Sequence, residues 1–307
     1  MTSTMNASGL PTRTLGRTGL EVTRLGYGAM SLDPGRLTPV EPEQATRILH
    51  GVLDAGINFI DTSPDYGPSE ECIGANIAGR RSEYLLASKV GCPVAVPDGH
   101  VYSRENITAA VEQSLRRMRT DYLDLVQFHG TPSAAALGDG EAIEALRDLQ
   151  RAGKVRFLGA SATLPHLPGL IALDVFDAFQ IPYSALQRDH EAVIAEAARA
   201  GAGTIIRGGT VRGAGDKDWD VRRLPEVPAE RPRALWERAG LDDLLDGASR
   251  VEWTLRFTFS HPDLDIAIVG TANPAHLAAN IAALHRGPLP ADVLAEAKRR
   301  LDAAAQE

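Results

Sequence analysis

Eight short apolar runs recur along the chain, each followed by a stretch with helical periodicity. This alternation sharply limits the folds open to it. The runs are VTRLGYGAM (22–30), INFID (57–61), YLLASKV (84–90), YLDLVQFH (122–129), VRFLGAS (155–161), AFQIPYS (178–184), TIIRG (204–208) and DIAIVG (265–270). Runs that are apolar on both faces suit parallel strands covered by helices. Between them, Ile48, Leu49, Val52 and Leu53 share one helical face, as do Ile107, Val111, Leu115 and Met118, and later Leu277 and Ile281. Helix ends agree. Ser103 can cap one helix, Gly153 can end another, and Asn273-Pro274 reads as an N-cap followed by Pro at the first helical position. Eight alternations predict an α/β fold, a (β/α)8 TIM barrel in one domain spanning 1–307, with 1–11 expected to be flexible. A doubly wound sheet is the alternative, but no G-x-G-x-x-G follows any strand.

Two segments exceed a minimal barrel. TRTLGRTGLEVT (12–23) alternates polar and apolar residues around Arg17-Thr18-Gly19 and reads as an N-terminal β-hairpin. Residues 211–247, after the seventh strand, are rich in Gly, Pro, Asp and Arg. They read as a long functional loop, either a lid whose arginines Arg212, Arg222, Arg223, Arg231 and Arg233 reach phosphate and whose hinges are Gly213 and Gly215, or a solvated insertion whose arginines pair with its own Asp and Glu residues. The tail 289–307 reads as a closing amphipathic helix.

Composition removes several function classes. With 32 Lys and Arg against 40 Asp and Glu, the net charge is −8, so a broad nucleic-acid surface is not expected. No apolar run approaches a membrane span. The opening MTSTMNASGLPTRTLGR holds no apolar stretch, so a cytoplasmic location is expected rather than secretion. Two cysteines, Cys72 and Cys92, make neither a disulfide scaffold nor a four-cysteine metal site, and no His/Asp/Glu spacing suggests a metal centre. Cys72 reads as helix packing. Cys92 is close enough to Lys89 in sequence to line a cleft.

In such a barrel the active site lies beyond the C-terminal ends of the strands. Polar groups gather there: Asp61 and then Tyr66 in DTSPDYG, Lys89 after the apolar run LLAS, and His129 in QFH. Each alone has a plain structural reading, as a turn, cap or solvated end. Their coincidence on three neighbouring strands carries the weight. Lys89, partly desolvated, needs a partner, and Asp61 is the obvious one. A Lys ammonium beside a Tyr phenol lowers its pKa, and His129 can share a hydrogen bond to the same substrate oxygen. The set fits protonation of a carbonyl oxygen as hydride reaches carbon, or the reverse for an alcohol. It has no hydride source, so a nicotinamide is expected beside it.

RTLGRTGLEVTRLGYGAM, GINFIDTSPDYGPSEECIG, LLASKVG, SLRRMRTDYLDLVQFH, LQRAGKVRFLGAS and IVGTANPAHLAANI together resemble the aldo-keto reductase superfamily over about residues 12 to 285. The resemblance implies a hairpin plugging the barrel bottom and an extended NADP(H) across the strand ends, NAD(H) being the alternative. It places the catalytic tetrad on Asp61, Tyr66, Lys89 and His129. Met30 joins the cofactor contacts. Ser161 and Gln180 fall where the family binds the carboxamide, Arg207, Gly208 and Thr210 on the pyrophosphate loop, and Gly270, Thr271, Asn273, His276 and Asn280 on the adenosine-phosphate segment. The substrate implied is a small carbonyl or alcohol.

The chain departs from the pattern at several points. Ala162 stands for an Asn, Ala29 for a Thr, and Gly270 and His276 for a phosphate-binding Lys and Arg. Arg207 replaces a stacking aromatic; its charge would repel an oxidised nicotinamide, or it turns to the pyrophosphate. These losses keep open a non-catalytic, cofactor-binding subunit of the same fold. A metal-dependent barrel hydrolase fits poorly, because the first strand lacks H-x-H.

Overall fold

The computed structural model describes residues 4–32, 40–93, 99–137, 140–210 and 230–306. Strands β1 (Thr4–Met5), β2 (Pro11–Thr14) and β3 (Glu21–Thr23) form a small antiparallel sheet. There follow β4 (Leu25–Gly28), α1 (Pro42–Asp54), β5 (Phe59–Asp61), α2 (Ser69–Asn76), β6 (Leu85–Val90), α3 (Arg104–Met118), β7 (Leu123–Phe128) and α4 (Glu141–Arg151). The chain continues through β8 (Val155–Ser161), α5 (Leu167–Ala172), β9 (Ala178–Pro182), α6 (Glu191–Arg199) and β10 (Gly203–Arg207). It ends with α7 (Glu230–Arg238), α8 (Arg250–Phe259), β11 (Ile266–Val269), α9 (Pro274–Arg286) and α10 (Ala291–Ala305).

Strands β4 to β11 pair in parallel and in chain order. β11 closes on β4 through Ala267 opposite Leu25, so the sheet is a barrel and the doubly wound alternative falls. Two apolar clusters build it. One lies inside the strands: Phe59, Ala87, Leu125, Ala178, Ile205 and Ile266. The other lies between strands and helices and includes Ile48, Val52, Ile107, Val111 and Leu146. Strands buried on both sides therefore read as continuous apolar runs.

The hairpin plugs the barrel interior, where Leu15, Leu20 and Val22 join the inner cluster. Its turn depends on Gly16, at φ +46°, where a Cβ would sit 2.1 Å from the Gly203 nitrogen. The predicted first strand, 22–30, therefore divides: Glu21–Thr23 belongs to the plug and Leu25–Gly28 to the barrel. Within the stretch 1–11, the chain is described from residue 4 onward. β1 pairs with β2, and the Asn6 amide donates to the Gly56 carbonyl at 2.9 Å.

Three helix ends follow the sequence. Ser103 Oγ accepts from the Asn106 N–H, Asn273 Oδ1 accepts from the Ala275 N–H, and Gly153 takes φ +74° after α4. The lid expected at 211–247 needs correction over its last part. Residues 230–247 hold α7 and a 3-10 turn, Leu241–Leu244, with Trp236 buried edge-on against Trp253 at 5.5 Å. An indole with few soluble alternatives fixes this stretch, and Arg233 pairs with Glu237 on the same helix rather than reaching outward. Arg212, Gly213, Gly215, Arg222, Arg223 and the Arg231 side chain lie outside the described residues.

Candidate active site

The short strand β5 ends in Asp61, which is 2 % exposed. Its Oδ1 accepts from Lys89 Nζ at 2.6 Å, and its Oδ2 accepts from the Gln127 and Gln180 amides, each at 2.8 Å. Lys89 also donates to the Thr62 carbonyl at 2.9 Å. An ammonium and a carboxylate buried together in this way are tolerable only because neighbouring groups take up their remaining hydrogen-bond capacity. Burial would push Lys89 down, but Asp61 outweighs it and holds the ammonium above its usual range.

Tyr66 lies on the loop between β5 and α2. Three interactions fix that loop: Thr62 N–H to the Ala87 carbonyl at 2.9 Å, Thr62 Oγ1 with Ser69 Oγ at 2.8 Å, and Ser69 Oγ to the Ala29 carbonyl at 3.0 Å. The ring of Tyr66 is nearly buried, with Lys89 Nζ 5.2 Å from its centroid. The sequence suggests a lowered phenol pKa, and the net effect is the reverse. Burial raises it, and the pull of Lys89, with a smaller one from Arg207, is outweighed. In the resting protein Tyr66 keeps its proton.

His129 follows β7 and meets Tyr66 edge-on, ring centroids 6.1 Å apart. Burial drives its pKa down to about 3, against the pull of Asp65, whose Oδ2 lies 3.6 Å from Nδ1. The imidazole is therefore neutral, with one ring nitrogen able to donate a hydrogen bond and the other to accept one. Asp61, Tyr66, Lys89 and His129 thus gather at one end of the barrel.

The remaining predicted residues lie on or after the strands β4, β8, β9, β10 and β11, the last of them on helix α9. Ser161 ends β8 and donates to Gln180 Oε1 at 3.3 Å. Gln180 therefore links Ser161 to Asp61. Arg207 ends β10, its carbonyl accepting from the Tyr183 N–H at 3.2 Å, and its charge is felt at both Tyr66 and His129. It thus faces the tetrad. Gly208 follows in the left-handed region, φ +74°, and Thr210 is half-buried. Met30 is half-buried in the 3-10 turn Ala29–Leu32 after β4. Past β11, Gly270 is exposed and Thr271 buried, and the Thr271 carbonyl is held by the Tyr27 hydroxyl at 3.0 Å. Asn273 caps α9, while His276 is exposed and Asn280 buried on the same helix.

Sequence reasoning missed Gln127 as part of the site. Its signal was present: an amide inside an apolar strand, paired in register with Lys89. It also placed Cys92 only loosely. The thiol is buried, with Sγ 3.4 Å from His129 Nδ1 and 3.8 Å from Ser63 Oγ. Cys72 is half-buried and packs against the outer core, as expected.

The rim fits a nicotinamide dinucleotide by its donor set. Gln180 Oε1 keeps a second lone pair and the Ser161 hydroxyl can turn, which suits a carboxamide. At the other end, the N-terminus of the thirteen-residue helix α9 offers polarised N–H groups to a phosphate.

The family model described as "Aldo/keto reductase family" matches residues 24–301. Aldo-keto reductase YhdN of Bacillus subtilis is 28% identical over 285 residues, covering 85% of each chain. L-galactose dehydrogenase of Arabidopsis thaliana is 33% identical over 171 residues, a match that spans 53% of this chain and 50% of that one. Among solved structures, the holo form of aldo-keto reductase AKR11C1 from Bacillus halodurans superposes with a TM-score of 0.79. It is 26% identical and covers 94% of this chain and 95% of its own. Among the described residues no helix is long and apolar enough to cross a membrane.

Proposed function

Because the chain belongs to the aldo/keto reductase family, whose members generally bind nicotinamide cofactors, we propose that it is an NADP(H)-dependent oxidoreductase reducing an aldehyde or ketone to the alcohol. The observation that carries this reading is the buried Lys89–Asp61 pair at 2.6 Å, set beneath a protonated Tyr66 and a neutral His129.

A reduced nicotinamide, when bound, supplies the hydride. Ser161 and Gln180 would hold its carboxamide, Gly208 and Thr210 the pyrophosphate, and Thr271, Asn273, His276 and Asn280 the adenosine end. Tyr66 gives its proton to the carbonyl oxygen as negative charge grows there. Lys89 then stabilises the phenolate left behind, a role that burial makes stronger than it would be in water. Asp61 keeps Lys89 in place and charged. His129, neutral, donates its remaining N–H to the same oxygen and orients the carbonyl. The high resting pKa of Tyr66 and the positive charge of Arg207 both favour reduction over oxidation.

The direct test follows absorbance loss at the nicotinamide band with NADPH and a panel of aldehydes, ketones and quinones, for the native chain and Tyr66→Phe. The substitution keeps the ring and removes the acid. Turnover should fall roughly 10²–10⁴-fold with cofactor binding intact. Near-normal single-turnover rates in Tyr66→Phe would remove Tyr66 from this role. Cofactor binding without turnover on any carbonyl would favour a binding subunit.

A further inference from the structure

We propose that Cys92, His100 and His129 form a binding site for a single divalent cation of the zinc class, at the edge of the active site. The three residues come from separate stretches of chain, yet one ligand atom of each lies within 4.8 Å of the others. Two ligands on a tetrahedral zinc ion lie about 3.5 Å apart. Cys92 Sγ and His129 Nδ1 already stand at 3.4 Å, so only His100 has to close in.

The fold seats His100 for this. Gly130 takes φ +80°, and a Cβ there would fall 2.4 Å from His100 Nδ1. The missing side chain is the space the imidazole occupies. His100 meets the His129 ring edge-on at 5.5 Å and stacks on Tyr102, whose hydroxyl donates to the His129 carbonyl at 2.6 Å. The Asn106 amide donates to the carbonyls of both Cys92 and Val101, at 3.2 and 2.9 Å, and so ties the His100 segment to the cysteine.

The donor set selects the ion. One thiolate and two imidazoles suit zinc, cobalt or copper, whereas calcium and magnesium take oxygen. When the sulfur–metal bond forms, the S–H bond breaks and the proton goes to solvent. Asp65 faces all three ligands and favours the added charge; Lys89 faces Cys92 and His129 and opposes it, as Arg207 does at His129. The fourth position is left to Asp65 or a water. An ion held there takes the His129 ring nitrogen and pins His100 over it, so zinc should inhibit. That last consequence rests on the carbonyl-reduction reading; the site itself does not.

The experiment is a cobalt titration of the chelator-treated full chain, followed by absorbance. One Co²⁺ per chain should give thiolate-to-cobalt charge transfer and tetrahedral d–d bands, and zinc should bleach both. Cys72→Ser should keep the charge-transfer band and Cys92→Ser should lose it. His100→Ala, at an exposed position, should weaken cobalt at least tenfold. Zinc should lower NADPH oxidation by the native chain, and His100→Ala should shift that inhibition to at least tenfold higher zinc. No charge-transfer band in the native chain, or a band that survives Cys92→Ser, would overturn the site. Turnover unchanged at saturating zinc would overturn the placement of the ion on His129. Cobalt binding without carbonyl turnover in any assay would support the site and count against the catalytic reading alone.

Discussion

Lys89 is a fully buried ammonium held in an ion pair with Asp61 at 2.6 Å. Removing one member of such a pair strands the other, at a cost of about 3–5 kcal/mol. Lys89→Met should therefore lower the denaturant midpoint as well as turnover, whereas Tyr66→Phe should affect turnover far more than stability. Equal stability of Lys89→Met and the native chain in urea unfolding would mean that Asp61 relaxes onto Gln127 and Gln180 without strain. Asp61, Tyr66, Lys89 and His129 were legible in the sequence because each interrupts or follows an apolar strand at the same end. The role of Gln127 was not, since its hydrogen bond to Asp61 crosses the barrel from β7 to β5. Nor was the direction of the Tyr66 shift: composition announces the charge of Lys89, but only packing sets how much water the phenol loses. The cluster of Cys92, His100 and His129 was hidden for a related reason. No local spacing links it, and Gly130, by lacking a side chain, is what admits His100.

The eight barrel strands could be read directly because helices cover one side and the inner cluster the other, leaving long apolar runs. α7 could not. ERPRALWER is mostly charged, and its burial rests on Trp236, whose indole N–H donates to Asp242 at 2.9 Å. α10 was legible from its amphipathic pattern, but its docking is partly ionic. Glu191 on α6 bonds Lys298, and Arg188 pairs with Asp302 at 2.6 Å. Burial pushes the Glu191 carboxyl up, yet Lys298 and Arg188 outweigh it and hold it below the usual range. A lowered folded-state pKa means that the unfolded chain takes up its proton first. The stabilisation is therefore full above the unfolded value, about 4.3, and drains away as pH falls through the lower folded one. These side chains remain about a third exposed, so the gain is at most about 1 kcal/mol. Glu191→Gln should be less stable than the native chain at pH 7 by up to that amount, and the two should converge in acid. Parallel denaturation curves at pH 7 and near pH 3 check this; a constant gap would assign the loss to packing.

Closure of the barrel makes ligand binding at one rim a matter for the entire fold. Ser161 and Gln180 sit on β8 and β9, Gly208 follows β10, and Asn273 caps the helix after β11, which itself bonds back to β4. A dinucleotide spanning these elements bridges half the strands, and its binding free energy should appear as resistance to global unfolding. At 100 times its Kd, a cofactor bound only by the folded state adds about 2.7 kcal/mol. Thermal or urea unfolding with NADPH and with NADH at equal concentration then reads cofactor preference without turnover. NADPH should stabilise more, by a modest margin, because Gly270 and His276 bring no lysine or arginine to a 2′-phosphate, which on the proposed reading would rest chiefly on the α9 N-terminus. Two variants separate the contributions. On the proposed reading, in which Asn280 meets the adenine, Asn280→Ala at this buried position should reduce the stabilisation by both cofactors. His276→Ala, at an exposed one, should reduce it for NADPH alone. Equal stabilisation by the two cofactors in the native chain, with His276→Ala unchanged, would mean that nothing on α9 reads the 2′-phosphate.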